Sequence, residues 1–409
     1  MSNRTRHISA AAALALAVPI VLSACSHSSR SANGARAAEA KSADKRPTVT
    51  IKLATNAQRA PVTSEIGADV QGGVVTAVTL TDPTGHTITG AWRPDRSSWV
   101  PATSLKFNAK YTAKVIATSA SGATQTSTTS FTTMSAPTTK PIGTKINLTS
   151  GATYGVGMPI VLDFGTAIPA KNRADVERRL FVQSVPAQVG IWSWVSATEV
   201  VYRPESHWKT GTAVSVRTAL AGMPIGTRVI GQDHAATFGI GRDLEFVISN
   251  KKHNLTVMSR GKALHTYPIS MGKSGGNTTS WSGNFVIIER FDHTVFDTLG
   301  IPGENYRVAV RYAERLTWSG TYIHSAPWSV YAQGHYNVSH GCVNVGPSNA
   351  AWIYKNSNIG DPVSISGTGR PVVNGNGWTA WTLSWADFVE GSALGYSQSV
   401  SPYQSVPAI

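Results

Sequence analysis

GVVTAVTLTDPTG, residues 73 to 85, sets the reading of the first half of the chain. It is a run of Val and Thr that closes on Asp82-Pro83-Thr84-Gly85. Branched side chains pack well on a pleated surface, while proline with a fixed φ and glycine free to take positive φ make a tight turn. Upstream, TVTIKL (48–53) alternates apolar with polar residues, and downstream SASG (119–122) is a second turn signal. Short strands broken by turns at this spacing predict a β-sandwich over residues 48–137.

Residues 138–241 repeat that character. SSWVPATSLKFNAKYTAKV (97–115) and TEVVYRPESHWKTGTAVSV (198–216) share an aromatic strand, a proline-containing turn and a closing Thr/Val strand. Two related sandwiches follow, with a short helix expected in RADVERRL (173–180), where Val176 and Leu180 lie four apart. The repetition stops at about 242. LEFVISN (244–250), LTVMSR (255–260) and ALHTYPISMG (263–272) begin another β-rich unit, expected over 242–366. Its one helical signal is PSNAAWIYKN (347–356), which starts on Pro347. The tail, 367–409, carries Trp378, Trp381 and Trp385 and is expected to wrap back onto that last unit.

Outward in the other direction, Arg4, Arg6 and His7 precede an apolar run from Ile8 to Leu22 and the string Leu22-Ser23-Ala24-Cys25. Residues 1–24 read as an export signal and 25–47, small, polar and charged, as a flexible tether. LSAC is similar to a bacterial lipobox. That likeness implies lipidation at Cys25 and an exported protein held at the cell membrane, facing the wall. Cys342, the other of two cysteines, then has no partner for a disulfide within the chain.

The length, 409 residues, exceeds one ordinary core. Apolar residues at 41% and charged residues at 14% exclude a disordered or coiled-coil chain. The net charge of +14 is spread out, with no basic stripe carrying interleaved aromatics, so nucleic acid is not an expected partner. An anionic wall suits it better.

The chemistry gathers around Cys342 in NVSHGCVNV (337–345). A thiol attacks as thiolate and needs a base or a positive field near it. His340, two residues away, is too close in sequence for a direct ring-to-sulfur transfer. His324, in TYIHSAPW (321–328), stands on a separate segment and can face the sulfur. Gly341 allows unusual backbone angles, so that neighbouring amides converge as an oxyanion hole. Inert packing fits poorly beside Ser339, His340 and Asn344. A metal bound by His324, His340 and Cys342 would need a fourth ligand such as His293 or His335, at a spacing that matches no finger or ribbon.

His324, then the fourteen residues Ser325 to Val338, then Ser339-His340-Gly341-Cys342-Val343-Asn344, resembles the signature of the L,D-transpeptidase (YkuD-like) catalytic domain. SMGK (270–273), HSAPWSV (324–330), GPSNAAWIY (346–354) and the Trp-rich tail are further similar to mycobacterial-type members, lipoproteins with two immunoglobulin-like domains. The resemblance implies 3→3 cross-linking of peptidoglycan tetrapeptide stems, donor and acceptor, through a thioester on Cys342, with no cofactor and no metal. It implies His324 as general base, Ser325 orienting it, and the amides of Cys342, Gly341 and His340 as the oxyanion hole. Tyr306 as a lid, Ser339, Asn344, Trp328 and Met271 would contact substrate. Phe291 stands where members carry a different apolar residue. Carbapenem-type β-lactams would acylate the thiol. Two alternatives share the sequence: a cysteine peptidase hydrolysing wall peptides, and a non-catalytic wall-binding lipoprotein.

Overall fold

The computed structural model describes residues 46–53, 59–93, 96–297 and 307–395. The expected signal, nearly all of the tether, Cys25 and the lid Tyr306 lie outside the described residues.

The first sandwich is built as its pattern demands. Lys110–Thr118 buries Tyr111, Ala113, Val115 and Ala117 and turns Lys and Thr outward. It pairs with Val74–Thr81 on one side and Thr124–Thr132 on the other, while Thr48–Leu53 belongs to the facing sheet. Both turns form at the expected places. Asp82 Oδ1 accepts from the Thr84 and His86 amides, and Gly85 and Gly122 take φ of +88° and +90°. The second sandwich packs two four-stranded sheets around Phe164, Trp192, Trp208 and Phe238. Its helix is Ala170–Glu177, three residues earlier than the spacing predicts, because Leu180 already opens the strand Leu180–Val185.

The two sandwiches meet over a buried charge cluster. Glu65 pairs with Arg93 of its own domain at 2.7 Å and with Arg179 of the second at 3.6 Å. Ser104 Oγ donates to the Ala221 carbonyl at 2.7 Å. Glu65 is held below the usual carboxylate range, because the two guanidiniums outweigh the burial that pushes it up.

The third unit is one curled nine-stranded sheet. Its order is Gly283–Val286, Pro362–Ser366, Glu245–Ser249, Asn254–Ser259, Lys262–Ser270, Val343–Val345, Tyr322–Ser325, Arg307–Arg315 and Glu289–Asp297. Val343–Val345 is central and runs parallel to Tyr322–Ser325. The helix Pro347–Asn356 follows at once and buries Ala350 and Ile353 against the core. A β-strand thus carries the chain up to Gly346, and the helix returns it beneath the sheet.

The tail packs on the third unit as expected, with Val372 in its core, Pro371 bridged to Ser282, and Asn284 and Thr382 exchanging hydrogen bonds with backbone carbonyls of the two segments. It reaches further than expected, onto the second sandwich, where Ala380 and Phe388 pack with Val161, Ile191 and Val201. Arg203, 2% exposed, donates to the Leu383 and Ser384 carbonyls and lies over the rings of Trp381, Trp385 and Phe388. A buried guanidinium with no carboxylate beside it is costly unless carbonyls and ring faces replace water, and here they do. Glu177 accepts from the Ala393 and Leu394 amides. The tail is therefore a strap across two domains.

Candidate active site

Two adjacent parallel strands position the thiol and the imidazole: Tyr322–Ser325 carries His324, and Val343–Val345 begins directly after Cys342. The register pairs His324 with Asn344. Cys342 lies two residues before Asn344, so it emerges on the same face of the sheet as His324. His340 is exposed on the loop beyond. Among the described residues, no three His, Cys, Asp or Glu side chains group as a metal site would.

His324 is 3% exposed, and its Nδ1 donates to the backbone carbonyl of Ser325 at 2.9 Å. That bond fixes the tautomer, leaving Nε2 as a lone-pair acceptor. The ring lies edge-on to Phe296 at 5.0 Å and near Trp328 at 6.0 Å. In this apolar cage the charged imidazolium is disfavoured, and burial lowers the pKa to about 4. Cys342 is half-buried; burial pushes its thiol up to about 11, offset in part by the Tyr322 N–H. Its Sγ faces the Gly320 carbonyl at 3.6 Å. At neutral pH both partners are uncharged at rest, so the proton must move during attack rather than before it.

The nucleophile loop is held from both sides. Ser339 donates its N–H to the Met271 carbonyl at 2.9 Å, and the Lys273 N–H donates to the Ser339 carbonyl at 3.0 Å. Gly272 permits that contact, since a Cβ there would stand 1.9 Å from the Thr278 carbonyl oxygen and 3.0 Å from Gly341 Cα. Gly341 takes φ of +127°, in the region that favours glycine. A loop so pinned presents Cys342 at a fixed point.

A family model described as the L,D-transpeptidase catalytic domain, YkuD, matches residues 244–365. A second, a bacterial Ig domain, matches 57–224 and so spans parts of both sandwiches. L,D-transpeptidase 2 of Mycobacterium tuberculosis is 32% identical over 354 residues, 85% of this chain and 85% of that one. The chain belongs to the L,D-transpeptidase family. L,D-transpeptidase 1 of the same species is 36% identical over 245 residues, 58% of this chain and 91% of its own. A solved L,D-transpeptidase in complex with imipenem aligns with 56% of this chain and all of its own, at 34% identity and a TM-score of 0.47.

In this L,D-transpeptidase several expected site residues stand elsewhere than the motif suggests. Met271 is fully buried in the core behind the loop and cannot line a cleft. Asn344 is also buried, donating through Nδ2 to Ser329 Oγ at 3.0 Å. Ser339 turns inward: its Oγ donates to the Cys342 carbonyl at 2.7 Å and accepts the Gly341 N–H at 3.2 Å. All three are buried and bonded or packed within the protein. The Gly341 N–H, expected in the oxyanion hole, is thus engaged by the Ser339 hydroxyl. Ser325 orients His324 by its backbone carbonyl, not its hydroxyl. Trp328, 48% exposed beside His324, does stand at the surface. Phe291 is half-buried on Glu289–Asp297, opposite Ala313. Phe296, on the same strand, is a further neighbour of the imidazole; its alternation with exposed Val295 and Asp297 was the available signal.

Proposed function

We propose that this L,D-transpeptidase forms 3→3 cross-links between peptidoglycan stems through a thioester on Cys342. Sγ attacks the carbonyl of the third residue of a donor tetrapeptide, and its proton passes to His324 Nε2. The bond to the terminal D-alanine breaks, and that proton leaves on its amine. The side-chain amine of an acceptor stem then attacks the thioester, again through His324, and the proton returns to sulfur. The observation that supports this is the neutral His324, locked through Nδ1 to the Ser325 carbonyl and in register beside the strand that carries Cys342. A base of this kind accepts the proton as the new bond forms, which is where general-base help lowers a barrier. Trp328 would form one wall of the cleft, Tyr306 its lid and the Cys342 amide, with that of His340, the oxyanion site.

Hydrolysis uses the same acyl-enzyme with water as acceptor, so products decide between them. A synthetic donor tetrapeptide mixed with an acceptor stem is expected to yield a covalent dimer and one equivalent of D-alanine, read by mass spectrometry. Free tripeptide alone would make the protein a peptidase, and an unconsumed donor a wall-binding protein without catalysis. The same thiol would be the target of carbapenem-type β-lactams.

We further propose that Cys25 carries lipid and tethers the enzyme to the cell membrane, facing the wall. The Cys25→Ala variant is expected to leave the membrane fraction with soluble activity unchanged. Its retention there would rule out this anchor.

A further inference from the structure

The strap that lies across two domains also reaches the nucleophile. Cys342 Sγ faces the Gly320 carbonyl at 3.6 Å, and the Tyr322 N–H, two residues on, is the backbone donor nearest the sulfur. The position of the turn 317–322 therefore sets one acceptor and one donor against the thiol. That turn closes on itself through Gly320 N–H to the Thr317 carbonyl at 3.2 Å and Thr321 N–H to Thr317 Oγ1 at 2.9 Å. Gly320, at φ +96°, is exposed, and so is Ser319. From the catalytic unit, Ser319 Oγ is met by Thr317 Oγ1 at 3.2 Å and by the Trp281 ring N–H at 3.3 Å.

Asn376 of the strap supplies the outside grip. Its Oδ1 accepts the Ser319 N–H at 2.9 Å and its Nδ2 donates to Ser319 Oγ at 2.8 Å. The strap can come this close because residue 377 is glycine: a Cβ there would stand 2.6 Å from the Leu316 carbonyl oxygen. Asn376 is itself fixed by its N–H to the Val373 carbonyl, and the strap beyond is anchored on the second sandwich by Arg203 and Glu177. We propose that Asn376 is a positioning residue for the nucleophile, holding through Ser319 the turn whose Gly320 carbonyl and Tyr322 amide face Cys342 Sγ. The strap is thus part of the catalytic apparatus without touching substrate.

The inference rests on Cys342 as nucleophile, and the experiment separates the two. Native full-length enzyme, Asn376→Ala, Asn376→Asp and Cys342→Ala are compared for turnover of a donor tetrapeptide and for iodoacetamide alkylation of Cys342 against pH. Turnover by Cys342→Ala would sink the nucleophile and, with it, the reason to ask about Asn376. Given an inactive Cys342→Ala, Asn376→Ala is expected to lose about tenfold in kcat with KM within about twofold, and to shift the alkylation profile, since misplacing a reacting atom by about 1 Å can cost as much as a hundredfold. Asn376→Asp keeps the acceptor for the Ser319 N–H and is expected to recover most of the rate. Asn376→Ser, too short to accept the Ser319 N–H, gives the same reading should Asn376→Ala fold poorly. An unchanged kcat and alkylation profile, or a loss confined to KM, would overturn the proposal.

Discussion

Cys342→Ala is expected to abolish both cross-linking and covalent capture by imipenem while leaving the fold intact. The native enzyme should gain the mass of one inhibitor molecule per chain, and the variant none. Cys342 is the free cysteine among the described residues, and Cys25 is the other thiol of the sequence, assigned to lipid. The loss should be total because no neighbouring group can replace sulfur: Ser339 is turned inward on the Cys342 and Gly341 backbone, and Ser325 is buried. The stability cost should be small, about 1 kcal/mol or less, since the thiol is half-buried and makes one weak contact, to the Gly320 carbonyl. A variant that unfolds in the same range as native yet still takes up one imipenem would show that acylation happens elsewhere.

The sequence carried what depends on local pattern. Thr48–Leu53 and Pro347–Asn356 were legible to the residue, because strict alternation in one and a proline start in the other depend on nothing distant. That His324 stands on a separate strand next to the one that follows Cys342 was legible too, from residue type and the need for a separate segment. What stayed hidden was the direction of side chains within the motif. Ser339, Asn344 and Met271 sit within a few residues of the chemistry or of its supporting strand, yet each points into the protein. Nearness in sequence says nothing about which side of a sheet a residue takes until the register is known. The strap's second landing, on the neighbouring sandwich, stayed hidden for a related reason. Its tryptophans announce burial, but the surface that receives them is chosen by Arg203 and Glu177, separated from their partners in the strap by 180 to 217 residues. Asn376 belongs to the same class: nothing in NGNGW marks it until Ser319 is beside it.

His324→Ala is expected to lower the acylation rate by roughly 10²–10⁴-fold and, more tellingly, to change how the rate depends on pH. With a thiol near 11, the thiolate fraction at pH 7 is about one in ten thousand, so a mechanism that waits for it is slow. Native His324 removes that dependence by accepting the proton as the bond forms. Its own protonation is the limit, and burial puts that near 4 rather than 6.5. The native rate should therefore be level from about pH 5.5 through neutrality and fall only as the pH approaches 4. Without the imidazole, the residual rate should follow the thiolate and climb about tenfold per pH unit. The same depressed pKa has a cost in stability. An unfolded His takes up its proton at about 6.5 and the buried one only near 4, so stability present above pH 6.5 is lost as the pH falls through that window. His324→Ala should accordingly flatten the unfolding midpoint between pH 6.5 and 4 relative to native. Rates measured by stopped-flow with imipenem and midpoints from thermal unfolding test both halves. A native acid limb near 6.5, or a variant whose rate is as level as the native one, would place the proton acceptor on some group other than His324.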